Sequence, residues 1–176
     1  MPSRQICGAL ARGWWIAILA AGMTVAQSPD ATGRLTSKPL SGLAREILNA
    51  HNAIRAGVKA PALQWSDQLA GVAQKWADTL LRQHRFSHSP DSRFGENLFD
   101  ISGAAANPSF VVRQWASESR NYDYRSNTCR GVCGHYTQVV WRSTTRVGCA
   151  VARGGGREVW VCNYDPPGNW LGERPY

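Results

Sequence analysis

The stretch Val147-Gly148-Cys149-Ala150-Val151-Ala152-Arg153-Gly154-Gly155-Gly156-Arg157-Glu158-Val159-Trp160-Val161-Cys162-Asn163-Tyr164 decides the fold. Val147, Cys149 and Val151 alternate before the glycines, and Trp160, Cys162 and Tyr164 alternate after them. A period of two marks strands, and glycines between two such runs mark a hairpin turn. Upstream the period becomes helical. Leu43, Ile47, Leu48, His51 and Ile54 recur at helical spacing, with Gly57 as a stop. Ser66 is placed to cap a second helix with the apolar face Leu69, Val72, Ala73, Trp76, Leu80 and Leu81. Asn107-Pro108 opens a third, because proline at the first helical position gives up no internal bond; Val111, Val112, Trp115 and Tyr122 are its apolar positions. A short fourth helix is expected from about Tyr136 to Trp141. Helices first and a hairpin last predict an α+β fold with an antiparallel sheet.

The chain of 176 residues has room for one ordinary domain. With 43% hydrophobic and 18% charged residues, it has the composition of a globular protein rather than a disordered one. No internal repeat and, past the first thirty residues, no apolar run of membrane-spanning length is present, which excludes solenoids and integral membrane proteins. The formal charge is +8, carried mainly by arginine.

Residues 1–26 have the layout of a secretory signal: Arg4 and Arg12 with no acid, an apolar core from Trp14 to Ala21, then small Thr24 and Ala26. Residues 27–40, rich in Ser, Thr, Gly and Asp, read as a flexible leader. The folded domain is expected over 41–176. Secretion to the extracellular medium is expected, with a periplasm as the alternative. Without Cys7, four cysteines remain: Cys129, Cys133, Cys149 and Cys162. In an oxidising compartment an even number implies two disulfides, with three possible connectivities. A four-cysteine zinc site ranks below this, since the paired C-x-x-C spacing is missing.

Glu118 is out of place for a solvent-facing acid. It follows Trp115 by three and precedes Tyr122 by four, which puts it on the inward side of the third helix. A buried carboxylate without partners is costly, so a cation, hydrogen-bond donors or a metal should accompany it, unless it reaches water at a boundary.

His88-Ser89, Gly95-Glu96-Asn97-Leu98, Trp115-Ala116-Ser117-Glu118, Gly134-His135-Tyr136-Thr137-Gln138-Val139-Val140-Trp141 and Cys162-Asn163-Tyr164-Asp165-Pro166-Pro167-Gly168-Asn169-Trp170 together resemble the CAP superfamily of cysteine-rich secretory proteins, antigen 5 and pathogenesis-related protein 1. The resemblance starts near Leu43, includes His51-Asn52 and Arg55, and runs to the C-terminus. It implies an α-β-α sandwich with a central antiparallel sheet and a large central cleft, furnished by His88, Glu96, Glu118 and His135 from a loop, a loop, a helix and a helix start. It also implies the bridges Cys129–Cys133 and Cys149–Cys162. Counting outward from a two-residue Gly155-Gly156 turn makes Cys149 and Cys162 a directly opposed, non-hydrogen-bonded pair, which supports the second bridge.

Two imidazoles suit Zn²⁺ or another divalent metal, so His88 and His135 are the expected ligands, with Glu96 and Glu118 ligating or orienting them. No organic cofactor is expected. His84 reads as an exposed helix end and His51 as a structural helix residue. Ser89 beside His88 does not make a serine hydrolase, because chain neighbours rarely reach nucleophile–base geometry and no G-x-S-x-G elbow is present. What the resemblance implies instead is a secreted binding protein for a lipid- or sterol-type ligand, or one acting at an anionic cell surface. The alternative is a metal-dependent, protease-like hydrolase in which Glu96 or Glu118 is the base. Nucleic acid is not an expected partner, for no basic run or base-reading module is present. The protein is expected to be a monomer.

Overall fold

The computed structural model describes residues 40–91 and 93–176. The expected export signal over 1–26 and the leader over 27–40 lie outside the described residues, apart from Leu40.

The elements follow in the order α1 (Gly42–Gly57), β1 (Gln64–Trp65), α2 (Asp67–Arg82), β2 (Gly95–Ser102), α3 (Pro108–Ala116), a 3-10 turn (Ser117–Asn121), β3 (Tyr122–Asp123), β4 (Thr128–Cys129), α4 (Gly134–Val139), β5 (Arg146–Gly154) and β6 (Arg157–Asp165). Three helices begin where their capping residues stand. The side chains of Ser41, Ser66 and Asn107 accept from the amides of Ala44, Leu69 and Phe110, and Pro108 occupies the first turn of α3. The hairpin turns at Gly155-Gly156, both at positive φ, as a two-residue turn of matching twist requires. Its register pairs Gly154 with Arg157 and Cys149 with Cys162.

One four-stranded sheet, in the order β1-β5-β6-β2, separates two helical layers, giving the α-β-α sandwich. The sheet is antiparallel except at one edge, where the two-residue β1 pairs parallel with β5. On one face Ile47, Val111, Val112, Trp115, Val147, Trp160 and Tyr164 form a core under α1, α3 and α4. On the other face α2 sets Ala73, Ala77 and Leu80 against Leu98, Ala150, Ala152, Val159 and Val161. Leu80 is wholly buried, a contribution of about 2–3 kcal/mol. The alanines let α2 approach closely, and Gly148 shows how closely. A β-carbon there would lie 2.2 Å from the Ala70 amide nitrogen and 2.4 Å from the Ser66 carbonyl oxygen.

Three expectations need correction. The third helix does not run on to Tyr122: α3 ends at Ala116 and the backbone tightens into the 3-10 turn that carries Glu118. Glu96 does not lie in a loop; it belongs to β2, the edge strand paired along its length with β6. The sheet is not wholly antiparallel, as β1 shows. Both disulfides have the implied partners, Cys129–Cys133 and Cys149–Cys162, the latter with Cα atoms 4.0 Å apart across the hairpin.

Candidate functional site: two histidine–glutamate pairs on one cleft

His88 follows the end of α2, and Glu96 stands at the start of β2 on the sheet face that α2 covers. Glu96 Oε1 accepts from His88 Nδ1 at 2.7 Å and from the Ser89 amide at 3.0 Å. The Glu96 side chain is only 8% exposed against 66% for His88, so a buried carboxylate grips an outward imidazole. That hydrogen bond raises the His88 pKa above its ordinary value, working against the smaller effect of partial burial. Glu96 Oε2 is buried and has no hydrogen-bond partner.

The second pair is built at the start of α4. Glu118 Oε1 accepts from His135 Nδ1 at 2.7 Å, while Oε2 accepts from the amides of His135 (3.0 Å) and Tyr136 (3.4 Å). One carboxylate therefore orients the imidazole and satisfies amides of the helix start that have no partner inside the helix. The His135 ring also stacks on Trp115, with centroids 6.4 Å apart and an interplanar angle of 21°. Trp115 is fixed in turn by its Nε1–H donated to Leu98 O.

His88, Glu96 and His135 line a single cavity of about 230 Å³; Glu118 stands behind His135 and is not part of its wall. Asn97, Val132, Gly134 and Asn169 complete the lining. Asn97 donates to His135 O (3.0 Å) and to the Tyr164 hydroxyl (3.2 Å), tying β2 to α4. Asn169 donates to Gly134 O and accepts from Thr137, closing the other side. Gly95 lets the strand reach this position, since a β-carbon there would lie 2.2 Å from Gln138 Oε1. Among the residues named for the site, Asn97 and Asn169 were missed. A single asparagine carries no periodic signal, and only its neighbours in space show what it joins.

The donor set suits a divalent transition metal. In both pairs a carboxylate accepts a hydrogen bond from Nδ1–H, which fixes the tautomer and leaves Nε2 as the lone-pair nitrogen, the usual arrangement for a metal-ligating histidine. The orphaned Glu96 Oε2 is one more acceptor at the same place. Among the described residues, no group of three His, Cys, Asp or Glu side chains is gathered to hold an ion. Two protein nitrogens would leave the other coordination positions to solvent or ligand.

The other two histidines stand apart from the cleft. His84 is exposed beyond the end of α2. His51 is fully buried on α1, donating from Nδ1 to Ile47 O and accepting at Nε2 from the Tyr164 hydroxyl, each at 2.9 Å. Burial pushes its pKa down to about 4. One turn on, Arg55 is buried among carbonyls, donating to Pro61, Val139, Trp141 and Thr144, and its own pKa falls to about 10, chiefly through burial. Ser89 Oγ accepts from the Asp91 amide.

The model of the CAP cysteine-rich secretory protein family matches residues 48–164. Pathogenesis-related protein 1 of Arabidopsis thaliana is 44% identical over 137 residues, covering 75% of this chain and 81% of the relative. Pathogenesis-related protein 1A of Nicotiana tabacum is 47% identical over 135 residues, covering 75% and 80%. Among solved structures, venom allergen-like protein 4 of Schistosoma mansoni is similar with a TM-score of 0.66 at 28% identity, over 78% of this chain and 95% of its own. NaASP2, solved with Zn²⁺, is similar with a TM-score of 0.62 at 25% identity, over 80% and 88%.

Proposed function

Because the chain belongs to the CAP cysteine-rich secretory protein family, we propose that it is an exported protein similar to pathogenesis-related protein 1, which binds a lipid- or sterol-type ligand or acts at a cell surface, and which carries a cleft competent for one divalent metal ion. The observation that carries the metal reading is the matched pair of Nδ1–carboxylate bonds, each 2.7 Å, that present two imidazoles to one cavity. His88 and His135 would hold the ion, and Glu96 and Glu118 would keep both rings in the ligating tautomer. Bound there, Zn²⁺ supplies a Lewis-acidic centre for an anionic or carbonyl group of a ligand. That NaASP2 was solved with Zn²⁺ supports the choice of ion. The family's secretory character and the signal-like residues 1–26 support an extracellular location.

Binding is favoured over catalysis because the cavity wall has no hydroxyl or thiol nucleophile among its described lining residues, and Ser89 is turned to a backbone amide. One observation favours the alternative, a metal-dependent hydrolase: the unpartnered Oε2 of Glu96 is a carboxylate oxygen free to take a proton inside the cleft.

Calorimetry of the exported protein with zinc chloride at neutral pH tests the metal reading. One site is expected, abolished by His88→Ala or His135→Ala and unaffected by His84→Ala. Unchanged zinc binding by the double histidine variant would overturn it. Hydrolysis of ester or peptide panels that vanishes with His135→Ala would replace the binding reading by the catalytic one.

A further inference from the structure

A second concave site lies outside the cleft, around the β3–β4 ribbon. Arg120 from the 3-10 turn, Tyr122 and Asp123 from β3, Tyr124 and Arg125 from the ribbon's turn, and Arg130 just beyond β4 line a cavity of about 370 Å³. These arginines come from segments that are locked together. Tyr122 pairs with Cys129 and Asp123 with Thr128, the Arg130 amide donates to Asn121 O at 2.7 Å, and the Cys129–Cys133 bridge closes the ribbon's far end. The turn itself is held from outside. The Arg174 guanidinium donates to the carbonyls of Tyr124 and Arg125 and lies over the Tyr124 ring, which also stacks on Tyr176 with centroids 4.9 Å apart.

The charge in this cavity is unbalanced. Asp123 is the one acid in the lining, and its Oδ1 already accepts from the amides of Arg125 (2.9 Å) and Ser126 (3.4 Å). Those bonds hold its carboxyl below the ordinary range, so it is ionised. Its nearest cation is Arg130 Nη2, at 4.0 Å from Oδ2. Among the described residues, Arg120 and Arg125 make no ion pair. Three guanidinium groups against one carboxylate leave an excess of two positive charges facing one small space.

We propose that this cavity is a binding site for a phosphomonoester group, borne by a soluble sugar phosphate or by the headgroup of a phosphorylated lipid. A phosphomonoester carries about −1.5 to −2 charges near neutral pH, which matches the excess. Its tetrahedral oxygens accept the forked hydrogen bonds that guanidinium offers and that a lone ammonium does not. The clamped turn means that little order has to be imposed on binding, and a cavity of this size falls within the ~300–1,000 Å³ of small-molecule sites. Neither His88 nor His135 takes part, so the site is independent of the cleft.

The test uses the exported protein and two probes: D-glucose 6-phosphate by calorimetry, and flotation with phosphatidylcholine vesicles with and without phosphatidylinositol 4-phosphate. Arg125→Ala/Arg130→Ala should weaken binding at least about tenfold, the loss expected for charge-assisted hydrogen bonds. Arg45→Ala/Arg82→Ala removes the same charge from exposed positions on α1 and α2 and should leave binding within about twofold, as expected for distant exposed charges screened by salt. All four side chains are exposed, so the melting temperature reports that each variant folds. Binding of both probes places recognition in the phosphate itself; binding of the vesicles alone makes the lipid headgroup the source. Failure of the native protein to bind either probe, or an equal loss in the two variants, overturns the proposal. Repeating the titration with a metal chelator present separates this result from the cleft: a phosphate site that fails leaves the zinc reading intact.

Discussion

His51 and His88 are the same residue in opposite surroundings. Under the sheet, His51 has no exposed surface, donates to a carbonyl and accepts from a phenol, and burial keeps it neutral. At the cleft, His88 is mostly exposed and its one bond is to a carboxylate, which favours the charged ring. The buried histidine is a tie between α1 and β6, satisfied at both nitrogens. The cleft histidine is satisfied at one and has the other to offer. Arg55 belongs with His51, because among the described residues its charge meets carbonyls and no acid; Glu118 belongs partly to each, holding a cleft imidazole while capping α4. Polar groups under the sheet hold the molecule together, and those at the rim are held ready.

Arg55→Met is the substitution with which to break that division. It strips the donor from carbonyls of Pro61, Val139, Trp141 and Thr144, three of which belong to the segment running out of α4. A loss of about 3–5 kcal/mol in urea unfolding is expected. A loss no larger than that of His88→Ala would erase the distinction.

Acid sharpens it. The folded pKa of His51 is about 4, below its ordinary 6.5, so the unfolded chain takes the proton first as pH falls. His51 therefore contributes stability above about pH 6.5 that is lost as pH falls toward 4, roughly 3 kcal/mol in all. The difference in unfolding free energy between native protein and His51→Gln, followed across that window, measures it. A difference that does not change with pH would mean that the ring charges in place.

His88 has the opposite sign. Its folded pKa is raised, so any contribution is present below about pH 6.5 and fades as pH rises through the folded value. The exposed ring makes that contribution small. Proton NMR should show the His88 titration moving down toward its ordinary value in Glu96→Gln.

The two carboxylates give the smallest contrast. Glu118→Ala removes the acceptor for two amides at the start of α4 as well as the His135 bond, and about 1–2 kcal/mol should be lost. Glu96→Ala loses fewer bonds and also removes a buried oxygen that has no partner, so thermal unfolding should register a loss of about 1 kcal/mol or less.

The legible parts of the sequence were those where local chemistry and tertiary packing agree. Ser66 and Asn107 announced two helices, and the Gly155-Gly156 turn set a register that joined Cys149 to Cys162. Helical spacing placed Glu118 inward; its side chain is 17% exposed and turned to His135, although the backbone beneath it is a 3-10 turn rather than continued α-helix. β2 was illegible because Gly95, Asn97, Asp100 and Ser102 are weak strand formers, and it exists because β6 pairs with it along its length. Arg55 could be matched to a family pattern, but the carbonyls that gather around it come from segments far along the chain, and no local pattern reveals them.

The order of strands in the sheet fixes an order in time. Among the described residues β1 pairs only with β5, and β2 only with β6, so Gln64 waits for Arg146 and Gly95 for Tyr164. A ribosome or a translocation channel delivers the N-terminal helices well before the hairpin that must lie between their strands. Until then the apolar faces of α1 and α2 have no sheet to cover, and Cys149 has no Cys162. The chain is therefore committed to late, long-range closure, a slow class of folding event, with its hairpin disulfide and its cleft completed in the same final step. A chain cut between β5 and β6 would keep at most the two-residue β1–β5 pairing and lose the rest of the sheet.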